Sequence, residues 1–407
     1  MICNDGSDIQ EKRKSVNHLP LTMKINRRNP WHWVMLGVFG ANVALALLLR
    51  PFLRRDPRRV LLYGHKLNGN LLALYLEAEK SDVGVELEFL TMDLAYHRSL
   101  RREGIRVLWA GSPRAAWRLG RADAIVTDHG LHVMAPLPRF TKIRFYDVWH
   151  GIPFKGFDAD DFRTQHRYRE TWVTSPFIKR LYVEKFGFRE DQVVVTGYAR
   201  TDRLVNATQS PAEVREELGL PPDRKLILFA PTWKQDAEGR SVFPFGMDEA
   251  AFMGRLSSFA EREGCSILLR PHLNTPLDPS AEYPHVHVLS SRTYPDAEEI
   301  LLASDVLVCD WSSIAFDFLL LDRPTLFLDV GPPFRKGFSL GPEFRFDRVV
   351  RGADELEAAL EQAVVNPVEA LSEQALQRDE IKKMLYGPYA DGQSARRCLD
   401  RLVKAPR

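Results

Sequence analysis

The chain has 407 residues, more than one ordinary hydrophobic core accommodates, so its length predicts two compact domains with additional segments. Hydrophobic residues make up 45% and charged residues 27% of the composition, which excludes a disordered or fibrous protein. The formal net charge of +2 disfavours a nucleic-acid-binding protein, and the 4 cysteines lack the C-x-x-C spacing of a zinc or redox site.

An apolar stretch near the N-terminus, from Trp31 to Leu49, is interrupted only by His32 and Asn42 and is long enough to cross a bilayer core as a helix. We predict a basic tail over residues 1–30 and a membrane anchor helix over residues 31–53, which places the protein at the cell membrane. An arginine cluster follows the helix and favours a cytoplasmic catalytic part. A helix lying on the membrane surface and a buried helix of a soluble domain remain alternatives. The arginines are Arg50, Arg54, Arg55, Arg58 and Arg59.

From Val60 onwards, short β-type runs alternate with helical patterns, which predicts parallel sheets covered by helices. A polar, proline-containing stretch at 206–222 separates two such series and predicts a domain hinge. The predicted strands are 60–63, 85–90, 105–109, 124–127, 145–149, 171–174 and 193–196, then 225–230, 265–270, 286–290, 306–309 and 325–328. Helices at 354–365 and 394–403 close the chain, and the polar segment before the second is expected to let that helix cross back to the first domain. The fold class is therefore α/β, with Rossmann-like, doubly wound domains at 57–205 and 206–407 facing a cleft. This arrangement resembles the GT-B architecture.

His150 follows the predicted strand 145–149, within the segment W-H-G-I-P-F-K-G that runs from Trp149 to Gly156. The glycine after it lets the backbone turn close to a ligand, and strand-end loops often carry functional residues. An imidazole titrates near neutral pH and accepts the proton of an attacking hydroxyl. We therefore predict that His150 is a general base; a structural histidine is the alternative.

Two strands of the second series end in side chains suited to phosphate binding. The segment L-I-L-F-A-P-T-W-K, from Leu226 to Lys234, ends in a proline, a hydroxyl and a base, and L-L-R-P-H, from Leu268 to His272, ends in an arginine and a histidine. An arginine offers a planar pair of donors to a pyrophosphate, and a histidine adds a further donor. The alternative for Arg270 is a surface ion pair.

The segment from Ser304 to Asp329 has the pattern strand, turn, helix, strand, and Ser312 and Ser313 stand where the helix begins. Unpaired backbone N–H groups and the positive end of the helix dipole favour an anion there, and the hydroxyls add donors. We predict that a diphosphate binds at the serines and that Asp317, one turn later, meets hydroxyl groups of the same ligand. The alternative is that the serines only cap the helix.

Taken in order, these motifs resemble those of the CDP-glycerol glycerophosphotransferases of teichoic-acid and related polymer synthesis, and the resemblance covers Tyr63 to Val403. Two departures are conservative: Ile152-Pro153-Phe154 stands where threonine and leucine are usual, and Trp311 stands where tyrosine is common. The motifs are W-H-G-I-P-F-K-G, T-G-Y-A-R-T-D-R-L at 196–204, A-P-T-W-K, L-R-P-H, Y-P-D at 294–296, D-W-S-S-I-A-F-D-F with L-D-R-P, and D-G-Q-S-A-R-R at 391–397.

The resemblance implies transfer of an alditol phosphate from CDP-glycerol, or a related CDP-alditol, to a polymer or lipid-linked acceptor, with release of CMP. It makes 57–205 the acceptor-side domain and 206–407 the donor-binding domain. His150 and His272 would be the catalytic pair, and neither a cofactor nor a metal is expected. The implied donor-binding residues are Gly151, Ile152, Pro153, Phe154, Arg200, Pro231, Thr232, Arg270, Pro271, Ser312, Ser313 and Asp317.

Two other functions remain open at this stage. One is a GT-B glycosyltransferase or epimerase that uses a nucleotide sugar, which shares the cleft and the phosphate-binding logic. The other is a non-catalytic, membrane-tethered subunit of a polymer-assembly complex, although a scaffold needs neither His150 nor His272. The expected partners are the donor, the acceptor and the membrane, without nucleic acid. Glycerol or ribitol as the alditol, teichoic-acid or capsule polymer, single or processive transfer, and the oligomeric state are also open.

Overall fold

The structure, a computed structural model, describes residues 29–232, 243–271, 283–290 and 293–404. Contacts between residues divide the chain into two compact units. Within the described ranges, unit 1 consists of residues 29–150, 159–202 and 393–404, and unit 2 consists of residues 151–158 and 203–392.

A seven-stranded parallel sheet lies at the centre of unit 1. Its strands are β1 (Asp56–Tyr63), β2 (Glu86–Thr91), β3 (Val107–Trp109), β4 (Ala122–Thr127), β5 (Arg144–Asp147), β6 (Glu170–Val173) and β7 (Val193–Val195). Their spatial order is β3-β2-β1-β4-β5-β6-β7. The strands are largely buried on both faces, as expected for a parallel sheet covered by helices.

Unit 2 contains a six-stranded sheet, also parallel throughout. Its strands are β8 (Leu226–Ala230), β9 (Ser266–Leu269), β10 (Val286–Val288), β11 (Val306–Cys309), β12 (Thr325–Leu328) and β13 (Val349–Val350), in the order β10-β9-β8-β11-β12-β13. Every strand predicted from the sequence is therefore present, and the structure adds the two-residue strand β13.

Helices fill most of the connections between strands. Several begin at a capping side chain: Ser210 and Glu213, for example, form a reciprocal capping box. The helices are α1 (Pro30–Leu49), α2 (Gly69–Lys80), α3 (Leu94–Arg102), α4 (Pro113–Arg121), α5 (Leu137–Phe140), α6 (Pro176–Glu184), α7 (Asp202–Val205), α8 (Pro211–Glu217), α9 (Glu249–Arg262), α10 (Ala297–Ala303), α11 (Ile314–Leu319), α12 (Ala353–Val365), α13 (Pro367–Ser372), α14 (Ala375–Leu385) and α15 (Ser394–Lys404).

Two segments belong to a unit other than the one next to them in the sequence. Helix α15 buries Cys398, Leu399 and Leu402 in the core of unit 1, together with α2. The segment 151–158 belongs to unit 2. The two units therefore differ from the contiguous domains 57–205 and 206–407 expected from the sequence. The side chains of α15 pack in unit 1, and the segment 151–158 packs in unit 2.

In each sheet the strand order reverses between two neighbours, β1 and β4 in unit 1 and β8 and β11 in unit 2. The connections leave such a switch point in opposite directions, so the carboxyl ends of the two strands open towards a ligand. Tyr63 pairs with Thr127 at this end in unit 1, and Ala230 pairs with Cys309 in unit 2. Residues that directly follow these four strand ends are therefore the first candidates for a site.

Helix α1 is the apolar helix predicted near the N-terminus, and among the described residues it alone is long and apolar enough to cross a membrane. One face of α1 packs on unit 1, where Phe39, Val43 and Ala46 are buried. Asn42 is also buried, and its Nδ2 donates to the carbonyl oxygens of Ala110 at 2.8 Å and Ser112 at 3.1 Å. The helix is therefore docked on the α/β unit by both apolar and polar contacts.

Candidate functional site

Four histidines lie close together in unit 1, directly after the ends of adjacent parallel strands. His65 follows β1, His129 and His132 follow β4, and His150 follows β5. The rings of His65 and His129 are 4.2 Å apart between centroids, and those of His65 and His132 are 5.9 Å apart. We call these four residues the histidine cluster. It lies at the switch point of the sheet, where the topology predicts a ligand.

His150, the predicted base, has one ring nitrogen engaged. Its Nδ1 lies 3.1 Å from the carbonyl oxygen of Asp128. Because a carbonyl only accepts, Nδ1 carries the hydrogen, and the neutral ring keeps the lone pair on Nε2. Desolvation lowers the pKa of His150 from its ordinary value, and the neighbouring His129 lowers it further. The lowered pKa keeps the ring neutral at physiological pH, and because the residue is exposed, Nε2 is accessible as a proton acceptor.

The backbone around His150 is fixed by two side chains. Asn70 Nδ2 donates to the carbonyl oxygens of Val148 and Trp149, each at 2.8 Å. Arg200 donates from Nη1 to the carbonyl oxygen of His150 at 2.8 Å, and its backbone N–H donates to Asn70 Oδ1 at 3.0 Å. Arg200 was predicted to contact the donor, and that stays a prediction; what the structure shows is that Arg200 positions the predicted base.

The segment that follows His150 is held by unit 2. The ring of Phe154 is fully buried and stacks on Phe316 at 4.4 Å, with Trp311 at 5.8 Å. Gly156 donates its N–H to the Gly337 carbonyl oxygen at 2.7 Å, and a Cβ at Gly156 would lie 2.3 Å from a neighbouring backbone oxygen. Of the residues predicted in this segment, Gly151, Ile152, Pro153 and Phe154 are all buried. Their side chains therefore shape the loop from within the core.

In unit 2, residues predicted from separate motifs meet at the switch point. Thr232 follows β8 and Asp310 follows β11. The Thr232 N–H and hydroxyl both donate to Asp310 Oδ1, at 2.8 and 2.5 Å, and the Trp311 N–H donates to the same oxygen at 2.7 Å. Asp310 thereby orients the turn, and Pro231, the residue before Thr232, is buried. Thr232, the last described residue of the predicted segment 226–234, is thus joined to the serine turn, and Trp233 and Lys234 lie outside the described residues.

Arg270 follows β9, the next strand of the same sheet. Its backbone N–H bonds to the Phe229 carbonyl oxygen, and its Nη1 donates to the Tyr294 carbonyl oxygen at 3.1 Å. Burial lowers the pKa of Arg270, and the carboxylates of Glu298 and Asp296 oppose that shift. The guanidinium remains a cation, as an anion-binding role requires. Pro271 is the last described residue here, and His272 lies outside the described residues.

Ser312 and Ser313 form the turn between β11 and α11, as the sequence predicts. Ser313 occupies the N-cap position, but its side chain makes no capping hydrogen bond to the helix. Both serines are partly exposed, whereas Asp317 is buried within the helix at 5% exposure. Because α11 has six residues, its dipole is small, and the anion affinity proposed for this turn depends chiefly on the hydroxyls and nearby cations.

The sequence interpretation missed Asn70, Asp128 and His129. The signal for two of them was present, since Asp128 and His129 directly follow the predicted strand 124–127, as His150 follows its own strand. Asn70 is separated from its partners by more than 70 residues, and no local pattern reveals that contact. Across the described ranges, no group of three or more His, Cys, Asp and Glu side chains is arranged to hold a metal ion.

Comparison with known proteins assigns the region that carries these motifs to a family. The sequence pattern of the CDP-Glycerol:Poly(glycerophosphate) glycerophosphotransferase family matches residues 49–404. The teichoic acid ribitol-phosphate polymerase TarK of Staphylococcus aureus (strain NCTC 8325 / PS 47) is 28% identical over 278 residues, which are 64% of this chain and 52% of TarK. The teichoic acid glycerol-phosphate transferase of the same organism is 30% identical over 215 residues, 47% of this chain and 52% of the relative. The chain spans about half the length of these curated relatives.

The solved structure of the wall teichoic acid polymerase TagF has a TM-score of 0.71, with 18% sequence identity, and covers 91% of this chain and 94% of TagF. At this identity the likeness establishes the fold, which is GT-B-like with two Rossmann-like units. The assignment to a family therefore depends on the sequence match and not on the fold. Because that match extends over most of the chain and includes every motif described above, the chain belongs to the CDP-glycerol:poly(glycerophosphate) glycerophosphotransferase family.

Proposed function

We propose that this protein transfers an alditol phosphate, glycerol phosphate in the first instance, from a CDP carrier to a hydroxyl of a polymer or membrane-linked acceptor, with release of CMP. The observation that carries the proposal is the state of His150: an exposed imidazole at the end of β5, with Nδ1 donating to the Asp128 carbonyl oxygen. Such a ring accepts a proton at Nε2. A surface polymer such as teichoic acid or capsule is the proposed product.

The proposed reaction is a substitution at phosphorus. An acceptor hydroxyl attacks the phosphorus next to the alditol, and His150 Nε2 receives the hydroxyl proton. A bond forms between the acceptor oxygen and phosphorus, and the bond from phosphorus to the oxygen of the CMP phosphate breaks. The bonding electrons leave with CMP, whose added charge requires cationic and hydroxyl donors. We assign this second task to unit 2.

Three features of unit 2 support a donor-binding role. Arg270 presents a cation after β9, Ser312 and Ser313 present hydroxyls after β11, and Thr232 is fixed beside them through Asp310. All follow carboxyl ends of neighbouring parallel strands, where α/β sheets bind nucleotides. We keep Asp317 and Pro271 in the proposed donor site by their position in the same two motifs, and we keep His272 as the second catalytic residue by its motif alone.

A donor panel tests the proposal. The full chain is mixed with CDP-glycerol, CDP-ribitol or a UDP-sugar, and binding is measured by calorimetry and nucleotide release with a poly(glycerol phosphate) acceptor. We expect saturable binding of a CDP-alditol and acceptor-dependent release of CMP. The relatives bear names that include both glycerol phosphate and ribitol phosphate, so the panel also identifies the alditol. Turnover of the UDP-sugar alone would instead establish a glycosyltransferase or epimerase, and no turnover with any donor would favour a non-catalytic subunit.

We further propose that α1 attaches the protein to the cytoplasmic face of the membrane by lying in the bilayer surface. The outward face of the helix is apolar, with Trp31, Val34, Val38, Leu45 and Leu48 all exposed. These residues lie on a different face of the helix from the buried Phe39 and Ala46. Burying each Val or Leu in lipid would stabilise the bound state by about 1.5–3 kcal/mol.

The docked face supports in-plane attachment over a transmembrane helix. A spanning helix would have to withdraw Asn42 from its two carbonyl partners and Arg50 from the Gly120 and Ala122 carbonyl oxygens, at 3.1 and 2.9 Å. Such buried polar contacts are costly to break without replacement. Exposed Arg54, Arg55 and Arg58 follow α1 and provide charge for anionic headgroups.

Vesicle binding and extraction distinguish the two attachments. In-plane attachment predicts that the full chain sediments with vesicles containing phosphatidylglycerol and is released by alkaline carbonate. Replacing both Leu45 and Leu48 by Asp should abolish sedimentation without unfolding the protein. Asn42→Leu is the matched variant on the docked face: it should lower thermal stability if α1 is docked, and it should strengthen insertion if α1 spans. Resistance of the wild type to carbonate would contradict the in-plane proposal.

A further inference from the structure

His129 and His150 form a stacked pair within the histidine cluster. Their ring centroids are 4.6 Å apart and their planes differ by 8°. The two side chains extend from the ends of β4 and β5, which are adjacent parallel strands. Two imidazoles held face to face at this distance interact strongly through their charges, because a proton on one disfavours a proton on the other.

Asp128 binds both members of the pair with different groups. Its Oδ1 lies 2.7 Å from His129 Nδ1, and its main-chain carbonyl oxygen lies 3.1 Å from His150 Nδ1. Both acceptors require a hydrogen on Nδ1, so Asp128 sets the same tautomer in both rings. The carboxylate, however, faces only His129, and a carboxylate partner favours the charged form of an imidazole. Asp128 therefore directs the positive charge of the pair to His129.

The other ionisable groups around the pair are consistent with this distribution. Burial lowers the pKa of His129, but the Asp128 carboxylate, with a smaller contribution from Asp147, more than compensates and raises it overall. Arg200, bonded to the His150 carbonyl oxygen, is a second cation that disfavours a charge on His150. His132 is kept neutral by burial and by His129, and its Nδ1 lies 2.8 Å from the hydroxyl of Tyr63. His65 completes the cluster on the other side of His129.

We propose that Asp128 and His129 are positioning residues for His150: the Asp128–His129 ion pair lies against the His150 ring, fixes its plane and tautomer, and keeps it uncharged with Nε2 available. The inference rests on the proposed function, in which His150 accepts the proton of the acceptor hydroxyl. It adds a means by which the chain sets the pH range of that step. The positive charge on His129 also makes His150 a weaker base. The intrinsic rate of proton transfer is therefore lower, but His150 stays uncharged over a wider pH range.

The test is the acid limb of the pH dependence of kcat/KM, which reports protonation of the base in the free enzyme. His129→Gln removes the charge and keeps a donor towards Asp128, so protonation of His150 becomes easier. The acid limb should move to higher pH by about one unit, the usual effect of a neighbouring charge. Asp128→Asn should move the acid limb in the same direction by less. The substitution lowers the positive charge on His129, which raises the pKa of His150, but it also removes the Asp128 carboxylate, whose loss lowers that pKa. A merely structural role would lower the rate at every pH and leave the limb in place.

A matched control and a direct measurement complete the design. His132→Gln changes a third histidine of the same cluster that is neutral and bonded to Tyr63, so the acid limb should stay where it is. NMR titration of histidine-labelled protein follows the His150 ring itself and needs no turnover, so it reports even if the proposed donor is wrong. If the His150 titration and the acid limb are the same in His129→Gln as in the wild type, the inference is overturned. The proposed function would remain intact as long as His150→Ala is inactive.

Discussion

The two units have the same parallel architecture and differ in what they place at the point where strand order reverses. In unit 1, ionisable side chains lie close together after β4 and the neighbouring strand β5. Asp128 is hydrogen-bonded to both His129 and His150, and the rings of these two histidines stack. In unit 2 the corresponding ends carry a closed network, in which Asp310 accepts three hydrogen bonds from Thr232 and Trp311. Unit 1 thus provides side chains that can change their charge, and unit 2 provides polar groups that are fixed by hydrogen bonds. Substitutions in unit 1 should therefore change rate and pH dependence, and those in unit 2 should change ligand affinity.

The largest effect is expected for His150→Ala. Loss of a positioned general base reduces kcat by about 10²–10⁴-fold. Donor affinity should remain near the wild-type value, since the proposed donor contacts of unit 2 are untouched. Initial rates of CMP release give kcat, and calorimetry with CDP-glycerol gives affinity. Full activity in this variant would show that His150 is not the base. The proposed difference in role between the two units would then be wrong.

Arg270→Ala should show the opposite behaviour in unit 2. A hydrogen bond to a charged group contributes about 1.5–3 kcal/mol, so the dissociation constant of the CDP-alditol should rise by about tenfold or more. Arg270→Lys is the matched variant: it keeps the charge and loses the planar pair of donors, and intermediate affinity is expected. Because Arg270 also bonds to the Tyr294 carbonyl oxygen, thermal unfolding must be compared first. Normal donor affinity in a folded Arg270→Ala protein would place the diphosphate elsewhere.

A smaller loss is expected when Ser312 and Ser313 are both changed to Ala. Each neutral hydrogen bond contributes about 0.5–1.5 kcal/mol, so the double variant should bind the donor about tenfold more weakly. Since the Ser313 side chain does not cap α11, helix stability should hardly change. Calorimetry with the same donor measures the difference. A fall in thermal stability with unchanged affinity would instead identify the serines as structural.

Much of this fold follows from sequence, because hydrophobic runs and turn residues are local signals. The strands β11 and β12 lie where the apolar runs 306–309 and 325–328 predict them, and α15 begins and ends within one residue of the predicted helix. The two-residue strand β13 was missed since so short a run has no periodicity to detect. The return of α15 to unit 1 was expected from the polar segment before it. The placement of 151–158 in unit 2 was not predicted, because it depends on which distant core its side chains fill.

The candidate site was predictable to a similar depth. Strand-end reasoning identified His150, Arg270, Thr232 and the serine pair, because residues after parallel strands share one edge of a sheet. It could not show that the Phe154 ring is buried against Phe316, or that Arg200 donates a hydrogen bond to the backbone of His150. It also passed over Asp128 and His129, since their importance depends on the stacking of two rings 21 residues apart in sequence. Chemistry at strand ends is a local signal, whereas the pairing of such ends is not.

Asp147 gives the last contrast, which is expected in stability and has the smallest expected effect on activity. It is fully buried at the end of β5, and burial followed by the neighbouring Asp128 carboxylate raises its pKa from 3.8 to about 8. The folded state therefore prefers the protonated carboxyl, while the unfolded chain ionises near the ordinary value. Stability is lost progressively as pH rises from about 4 to about 8, and the loss is complete above that range.

Asp147→Asn removes this cost, so the variant should be more stable than the wild type at alkaline pH, by up to about 5 kcal/mol for a shift of this size. The advantage should grow between pH 5 and about pH 8 and then level off, as measured by thermal unfolding across that range. Asp310→Asn is the matched change in unit 2, where the carboxylate accepts three hydrogen bonds, and it should destabilise the protein. A stability difference for Asp147→Asn that is the same at every pH would show that the carboxyl does not titrate in this range.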